Sequence, residues 1–464
     1  MARKKAQSPA ELAEIRERKL RKQVRFQLYA YSAHYRRVLD RAGVKAEGFD
    51  GLTDLEKIPL TTREDLLDGA DEFVLRPTKG LIQRWGSSSQ VADIFFTKIL
   101  RGIEESDKAL DEEYAPVHSL ESTGTSSNPL RIKLTRRDLA VLATQGARTL
   151  DVAGVKPTDT ILNLLEGAPR GGFWPVWLGG AAMGAEQIAP GFTDPTSSLP
   201  LAAKKATVVV AMPEDAMALL ESGPGLPSVR TLILGPAPAG AVMRRRLAEL
   251  SGPHVKIIQT YGFAEGRTIW AQCAQSADEQ EIGFHAFPDL EIIESMSTRA
   301  PRAARLGEPG EIVFTGLEQR GTALIRYRPG DVAMGGVRFG NCPYCGRVVE
   351  RIIGPIRRAR NLIELKLAGA QTVAVDVELL NDLLTHPALE AWQVEVAKSD
   401  GDPRGADEVL VLFSTKNTAD PAVVAVELDR QFRSEAGFSP QFVVSDVPEG
   451  GVVDLRPIPV GGGQ

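Results

Sequence analysis

The chain has 464 residues, a formal net charge of -5, 43% hydrophobic and 25% charged residues, and a pI near 5.8. That length exceeds one compact core and that composition is of a water-soluble globular protein, so two or more domains are expected. The acidic balance leaves no dominant basic face for nucleic acid. No apolar run reaches bilayer-spanning length. The three cysteines make no disulfide framework, which fits a reducing cytoplasm.

The start is basic, Met1-Ala2-Arg3-Lys4-Lys5, but a charged helix follows where a signal peptide would place its apolar stretch. Ser8-Pro9-Ala10-Glu11 combines a serine cap, a proline at the first helical position and a glutamate three residues on. The helix it opens carries a modest apolar stripe through Leu12, Ile15, Leu20, Val24 and Leu28. A second helix is expected over Tyr29 to Ala42, ending at Gly43, and Thr61-Thr62-Arg63-Glu64 opens a third. All three read as a helical lead packed on the main body.

From about Gly80 strands and helices alternate between glycine-rich turns, the pattern of an α/β body. Buried strands are expected at Ile161–Leu165, Ala206–Ala211, Thr231–Gly235 and Val255–Ile258, with an amphipathic helix over Val242–Leu250. After Arg351 the pattern changes again. A helix near Asp376–Thr385, strands near Trp392–Ala397 and Val409–Phe413, a helix over Asp420–Ser434 and a strand near Phe442–Val444 make a small separate domain.

Four constellations could carry chemistry. Ser122-Thr123-Gly124-Thr125-Ser126-Ser127-Asn128-Pro129 lies ahead of a strand-like run, Leu130 to Leu134. Such a loop either gathers backbone N–H and hydroxyl groups on one anion or satisfies its own backbone. Gln259-Thr260-Tyr261-Gly262-Phe263-Ala264-Glu265 follows a β-branched strand; it offers a flat ring, a close backbone approach at Gly262 and a carboxylate suited to magnesium. Arg326-Tyr327-Arg328-Pro329-Gly330-Asp331 ends on an aspartate that is either a turn residue or an acceptor for vicinal hydroxyls. Cys342-Pro343-Tyr344-Cys345 has the spacing of a zinc knuckle, and Cys273 and His285 would complete a closed Cys3His shell. Buried thiols beside a core histidine are the alternative.

In this order, the pieces resemble the adenylate-forming superfamily over nearly the whole chain, and within it the phenylacetate–CoA ligase-like branch. The opening run His34 to Arg37 with Ile58 to Leu66, the hydroxyl loop with Thr135-Arg136-Arg137-Asp138, and Cys342 to Arg347 followed by Arg351-Ile352-Ile353-Gly354 all carry that likeness. The resemblance implies a helical segment over 1–75, a large α/β nucleotide- and substrate-binding body over 76–352, and a small mobile α+β C-terminal domain over 353–464. It places nucleotide contacts at Ser122, Thr123, Gly124, Thr125, Ser126, Gly235, Pro236, Ala237, Tyr261, Gly262 and Asp331. Glu265 becomes the catalytic carboxylate holding magnesium, and Phe173, Trp174 and Phe263 line a pocket for a flat acid. Expected cofactors are ATP, Mg2+ and a structural Zn2+ at Cys273, His285, Cys342 and Cys345, with coenzyme A as an acceptor and association of identical copies left open.

The implied reaction is attack of a carboxylate on the α-phosphate of ATP, with pyrophosphate leaving. Departures from the family pattern concern positive charge. Ser127 and Asn128 stand where the resemblance calls for glycine and lysine, Ala264 for a hydroxyl, and Pro355 for arginine. Arg357, Arg358 and Arg360 replace an acidic hinge pair, and Lys416 is the last lysine, leaving only Arg456 in the zone of the C-terminal lysine. Two alternatives follow: activation of nitrite for diazotisation of an arylamine, or a ligand-binding member that no longer turns over ATP.

Overall fold

The structure is a computed structural model. It describes residues 8–85, 112–122, 129–166, 172–189, 205–221, 227–237, 239–275, 283–298, 300–367, 372–384, 386–397, 406–416, 419–445 and 452–454. These fall into two compact units, one of Met1–Ala239 with Met243–Ile356, the other of Gly240–Val242 with Arg357–Gln464.

The first unit begins as its caps dictate. Ser8 accepts from Glu11 N at 3.2 Å and Glu11 accepts from Ser8 N at 2.7 Å, starting the helix Pro9–Gln23. The helix expected over Tyr29–Ala42 is broken at Ser32, whose backbone is extended (φ -109°, ψ 120°). Its hydroxyl accepts from Tyr35 N and donates to Glu72 O at 2.8 Å, so a buried serine found a better partner than the helix interior offers. Ala33–Arg41 then forms a separate helix. The lead is not an independent layer: Leu20, Leu28, Tyr35, Phe49 and Phe73 share one core with Phe314, Ile325 and Tyr327. Arg16 pairs with Glu350 at 2.7 Å and Gln23 donates to Gln319 O, tying the first helix to the body.

Strands β1 (Pro116–Glu121) and β2 (Arg131–Thr135) form an antiparallel hairpin with Ser119 opposite Lys133. The hydroxyl-rich loop is their connection. Next comes the main sheet, built from β3 (Thr160–Asn163), β4 (Glu186–Ile188), β5 (Val208–Ala211), β6 (Thr231–Leu234), β7 (Lys256–Gly262) and β8 (Ile269–Ala271). The spatial order is β4-β3-β5-β6-β7-β8. All pairs are parallel except β7–β8. The central strands β5 and β6 are buried at every position, which is why they read as apolar runs. Val208 and Val210 join Leu150 and Val176 on one side, while Val209 and Ala211 meet Leu219 and Leu247 on the other.

Beyond it lie β9 (Gly283–His285), β10 (Glu291–Ser297), β11 (Gly310–Gly316), β12 (Asp331–Ala333), β13 (Val337–Asn341) and β14 (Val348–Ile353). β10, β11 and β12 run antiparallel in sequence, and β14 sits between β13 and β9. Glu291 is wholly buried here, accepting from Trp270 Nε1 at 2.5 Å, Phe287 N at 2.8 Å and Gln145 Nε2 at 2.9 Å. Burial pushes its carboxyl up to about 8. The folded state therefore holds this proton where the unfolded chain has released it, and its contribution to stability is lost as pH rises from the ordinary glutamate range through about 8. The advantage of Glu291→Gln over the parent in melting temperature is expected to grow steadily between acidic and mildly alkaline buffer. A constant offset across that range would remove Glu291 as the titrating group.

The second unit has its own core of Val394, Val411, Phe413, Leu428 and Phe432. Its sheet runs Gln441–Val444, Glu408–Thr415, Leu389–Ala397, Val452–Asp454, with helices Val377–Leu384 and Pro421–Gln431. The last strand falls in the zone without a lysine and pairs parallel with Leu389–Ala397, Gln393 opposite Val452. Among the described residues no helix is long and apolar enough to cross a membrane.

Candidate active site

The carboxyl ends of parallel strands are where open α/β sheets bind ligands, and β6 and β7 bring several of the expected residues there. At the end of β6, Gly235 has φ +142°, and a Cβ there would fall 1.9 Å from Thr260 Oγ1. Thr260 donates to Leu234 O at 2.8 Å, so the exits of β6 and β7 lie against each other only because residue 235 has no side chain. Pro236 in turn approaches the start of the helix Phe173–Met183: a Cβ on Gly172 would lie 3.1 Å from Pro236 Cδ. Ala237 is exposed beside it. Phe173 stacks on Trp177, centroids 5.6 Å apart, and Trp174 meets the His118 ring of β1 edge-on at 4.6 Å. These rings are half-buried.

Tyr261 and Asp331 meet directly. The Tyr261 hydroxyl donates to Asp331 Oδ2 at 2.7 Å, although the two are 70 residues apart in sequence. The Tyr261 ring itself is 3% exposed, packed near Trp270 and Phe284 at 5.7 and 5.8 Å. Phe263 lies in the same aromatic core, against Phe314 and Trp270. Gly262 is held close to β8, since a Cβ there would fall 2.5 Å from Thr268 O.

Glu265 is buried and sits at the centre of a short network. Arg63 Nη1 donates to its Oε1 at 3.1 Å. The same guanidinium donates to the Ser122 hydroxyl at 3.2 Å from both terminal nitrogens. Tyr327 gives its hydroxyl hydrogen bond to Glu265; burial first, then this carboxylate, holds its phenol well above the ordinary value. Asp331 also acts on Tyr327. The hydroxyl loop's first residue, the Tyr-Gly segment and the aspartate segment therefore converge around one arginine. Thr123, Gly124, Thr125 and Ser126 lie outside the described residues.

Arg63 was not among the residues expected in the site. It is the first residue of the helix Arg63–Gly69, which opens with a capping box between Thr62 and Asp65. The sequence signal there is a helix start, and nothing local announces a partner 202 residues away. Lys133, the nearest lysine after the loop, is bound to Asp71 at 2.6 Å instead. Behind Glu265, Arg267 adopts φ 65° and is 5% exposed, pairing with Asp138 Oδ1 at 2.7 Å.

A second cluster stands apart from this network. One donor atom from each of Cys273, His285, Cys342 and Cys345 lies within 4.8 Å of the others. The first three residues are buried and Cys345 is half-buried.

No protein-family model matches the chain. A phenylacetate–coenzyme A ligase of Thermus thermophilus is 27% identical over 445 residues, 94% of this chain and 85% of the relative. The Escherichia coli phenylacetate–coenzyme A ligase is 26% identical over 317 residues, 64% of this chain and 61% of the relative. A crystal structure of 2-hydroxyisobutyryl-CoA ligase in the postadenylation state superposes with a TM-score of 0.72 over 97% of this chain and 91% of that one, at 16% identity. The chain has the adenylate-forming ligase fold. The resemblance drawn from its motifs, to that superfamily and its phenylacetate–CoA ligase-like branch, is borne out, as is the large N-terminal body with a small C-terminal domain.

Proposed function

We propose that the chain activates a carboxylic acid, aromatic or similarly flat, as its acyl-adenylate and passes the acyl group to the thiol of coenzyme A. One carboxylate oxygen of the acid attacks the α-phosphorus of ATP, and the bond to pyrophosphate breaks. The thiolate sulfur then attacks the acyl carbon and AMP leaves with the bonding pair. The observation that supports this best is the convergence of Ser122, Arg63, Glu265 and Tyr327 beside the Tyr261–Asp331 hydrogen bond. Anion-facing donors and a hydroxyl-accepting carboxylate are what a nucleotide needs at its two ends. Arg63 supplies a cation where the loop lacks its lysine, and its fork can shift from Glu265 and Ser122 to phosphate oxygens.

Glu265 is an oxygen donor of the hard type magnesium takes, and with nucleotide bound the ion would neutralise phosphate charge there. In the structure that carboxylate is already engaged by Arg63 and Tyr327, so these two set its orientation in the meantime. The half-buried rings of Phe173, Trp174 and Trp177 favour a flat acid over a long aliphatic one. Both acids named for the matched ligases, phenylacetic and 2-hydroxyisobutyric, are carboxylic. Nothing in the relatives or the geometry favours nitrite.

Acid-dependent exchange of pyrophosphate into ATP tests the reading, with phenylacetate, benzoates, short hydroxy acids and nitrite as the panel. Exchange driven by one carboxylic acid and followed by coenzyme A-dependent AMP release is expected. Silence across the panel, with nucleotide binding retained, would make the chain a binding protein and end the ligase reading.

A further inference from the structure

The Cys273, His285, Cys342 and Cys345 cluster takes no part in the proposed reaction, and the geometry points to a closed structural zinc site there. Spacing alone would not carry this, but the local backbone does. Cys342-Pro343-Tyr344-Cys345-Gly346-Arg347 forms the turn between β13 and β14. Cys342 N donates to Arg347 O at 2.8 Å and Gly346 N to Cys342 O at 2.9 Å. Gly346 has φ +70°, a conformation glycine adopts freely. This lets the backbone N–H of Arg347 reach the Cys345 sulfur, where the Arg347 side chain also hydrogen-bonds. Cys273 has the same arrangement, with the N–H of Gln275, two residues on, turned to its sulfur.

N–H groups turned to sulfur are what a metal-binding cysteine turn presents, and an apolar core cysteine has no use for them. The histidine agrees. His285 is 1% exposed, its Nε2 has no hydrogen-bond partner among the described residues, and its Nδ1 is 4.0 Å from Cys345 Sγ. A core histidine would be expected to have both nitrogens satisfied. Donors on a tetrahedral zinc are about 3.5–3.8 Å apart given Zn–S near 2.3 Å and Zn–N near 2.0 Å, so four atoms already within 4.8 Å need close by only a fraction of their separation. Three sulfurs and one imidazole match zinc and leave no open position for substrate. Three thiolates on a divalent ion leave one net negative charge, and the Arg347 guanidinium stands on the Cys345 sulfur while pairing with Asp151 at 2.6 Å.

The ion would join three otherwise separate pieces. Cys342 and Cys345 belong to the β13–β14 turn, His285 ends β9 opposite Arg351 of β14, and Cys273 follows β8. β8 pairs with β7, Trp270 opposite Tyr261. Zinc would therefore fix the strand pair carrying Tyr261 against the sheet of β9, β13 and β14. Its action on catalysis is through that placement.

Untagged full-length protein, stripped with a chelator under reducing conditions, is titrated with cobalt(II) and then zinc. The expected result is the visible absorption of tetrahedral cobalt with thiolate charge transfer, saturating near one ion per chain, displaced by zinc and accompanied by a rise in melting temperature. Cys342→Ser and His285→Ala should each weaken the cobalt bands, and a mercurial should release zinc in proportion to three thiols. Absence of thiolate–cobalt absorption in the stripped but folded wild-type chain overturns the site, as does binding that persists unchanged in both variants. The readout needs no substrate, so it stands or falls separately from the ligase reading.

Discussion

Replacing Arg63 with alanine is expected to lower acid-dependent pyrophosphate exchange about 10²–10³-fold, the effect of removing one preorganised donor aimed at a developing anion, about 3–4 kcal/mol of barrier. The side chain is one-quarter exposed, 26%, and its partner Glu265 is at 6%, so the pair faces an opening and does not lie in a sealed core. Much of its worth then depends on what arrives from solvent. The expected signature is a fall in kcat larger than any rise in the KM for ATP, because the charge matters most as pyrophosphate departs. Arg63→Lys should recover part of the rate: one ammonium can meet a phosphate but cannot also span Ser122 and Glu265 as the fork does at 3.1–3.2 Å. An alanine variant within twofold of the parent, with an unchanged melting temperature, would show that Arg63 only orders the resting site.

Arg63 also shows what the sequence could and could not disclose. Its helix was legible, because Thr61-Thr62-Arg63-Glu64 is a start signal and Thr62 does cap the helix. Its role was not, because the partners come from the end of β1 and the exit of β7, and a contact across 202 residues leaves no trace in local pattern. The buried parallel strands were the easiest elements to find. Val208 to Ala211 are apolar at every position because both faces are covered. By contrast, the break at Ser32 was hidden, since the Glu72 carbonyl that rewards it belongs to a later segment. In the second unit the hairpin Leu362–Lys366 with Thr372–Asp376 and the strand Val452–Asp454 are hidden because none carries the unbroken four-residue apolar run that marks the equally short Val208–Ala211. The cysteine cluster was legible for the opposite reason: few residue types have so few uses, and every cysteine in the chain fell into it.

The largest loss of stability from a single side chain is expected at Asp138. This residue is 3% exposed and collects hydrogen bonds from four directions. Thr135 N and the Thr135 hydroxyl donate to it at 2.9 and 3.0 Å, closing the cap of the helix Arg136–Val152. Arg320 N and Gly321 N donate at 3.0 and 2.7 Å, and Arg267 Nη1 at 2.7 Å. Asp138→Ala leaves the Arg267 charge buried without its counterion, with Nε and Nη2 already lacking partners among the described residues. Breaking one side of such a pair costs about 3–5 kcal/mol, and orphaned backbone N–H groups add about 1–3 kcal/mol each where water cannot reach them. Asp138→Asn keeps the cap acceptor and should lose distinctly less, which separates the charge from the hydrogen bonds. Arg267→Met in the Asp138→Ala background should restore part of the urea midpoint, because it removes the uncompensated charge; no restoration would place the loss in the cap alone. The consequence reaches the site, since Arg267 lies two residues beyond Glu265 in a left-handed turn that Asp138 anchors. At temperatures where Asp138→Asn stays folded, exchange activity is therefore expected to fall further than the folded fraction does. Activity that tracks the folded fraction point for point would mean Asp138 supports the fold and leaves the carboxylate of Glu265 where it was.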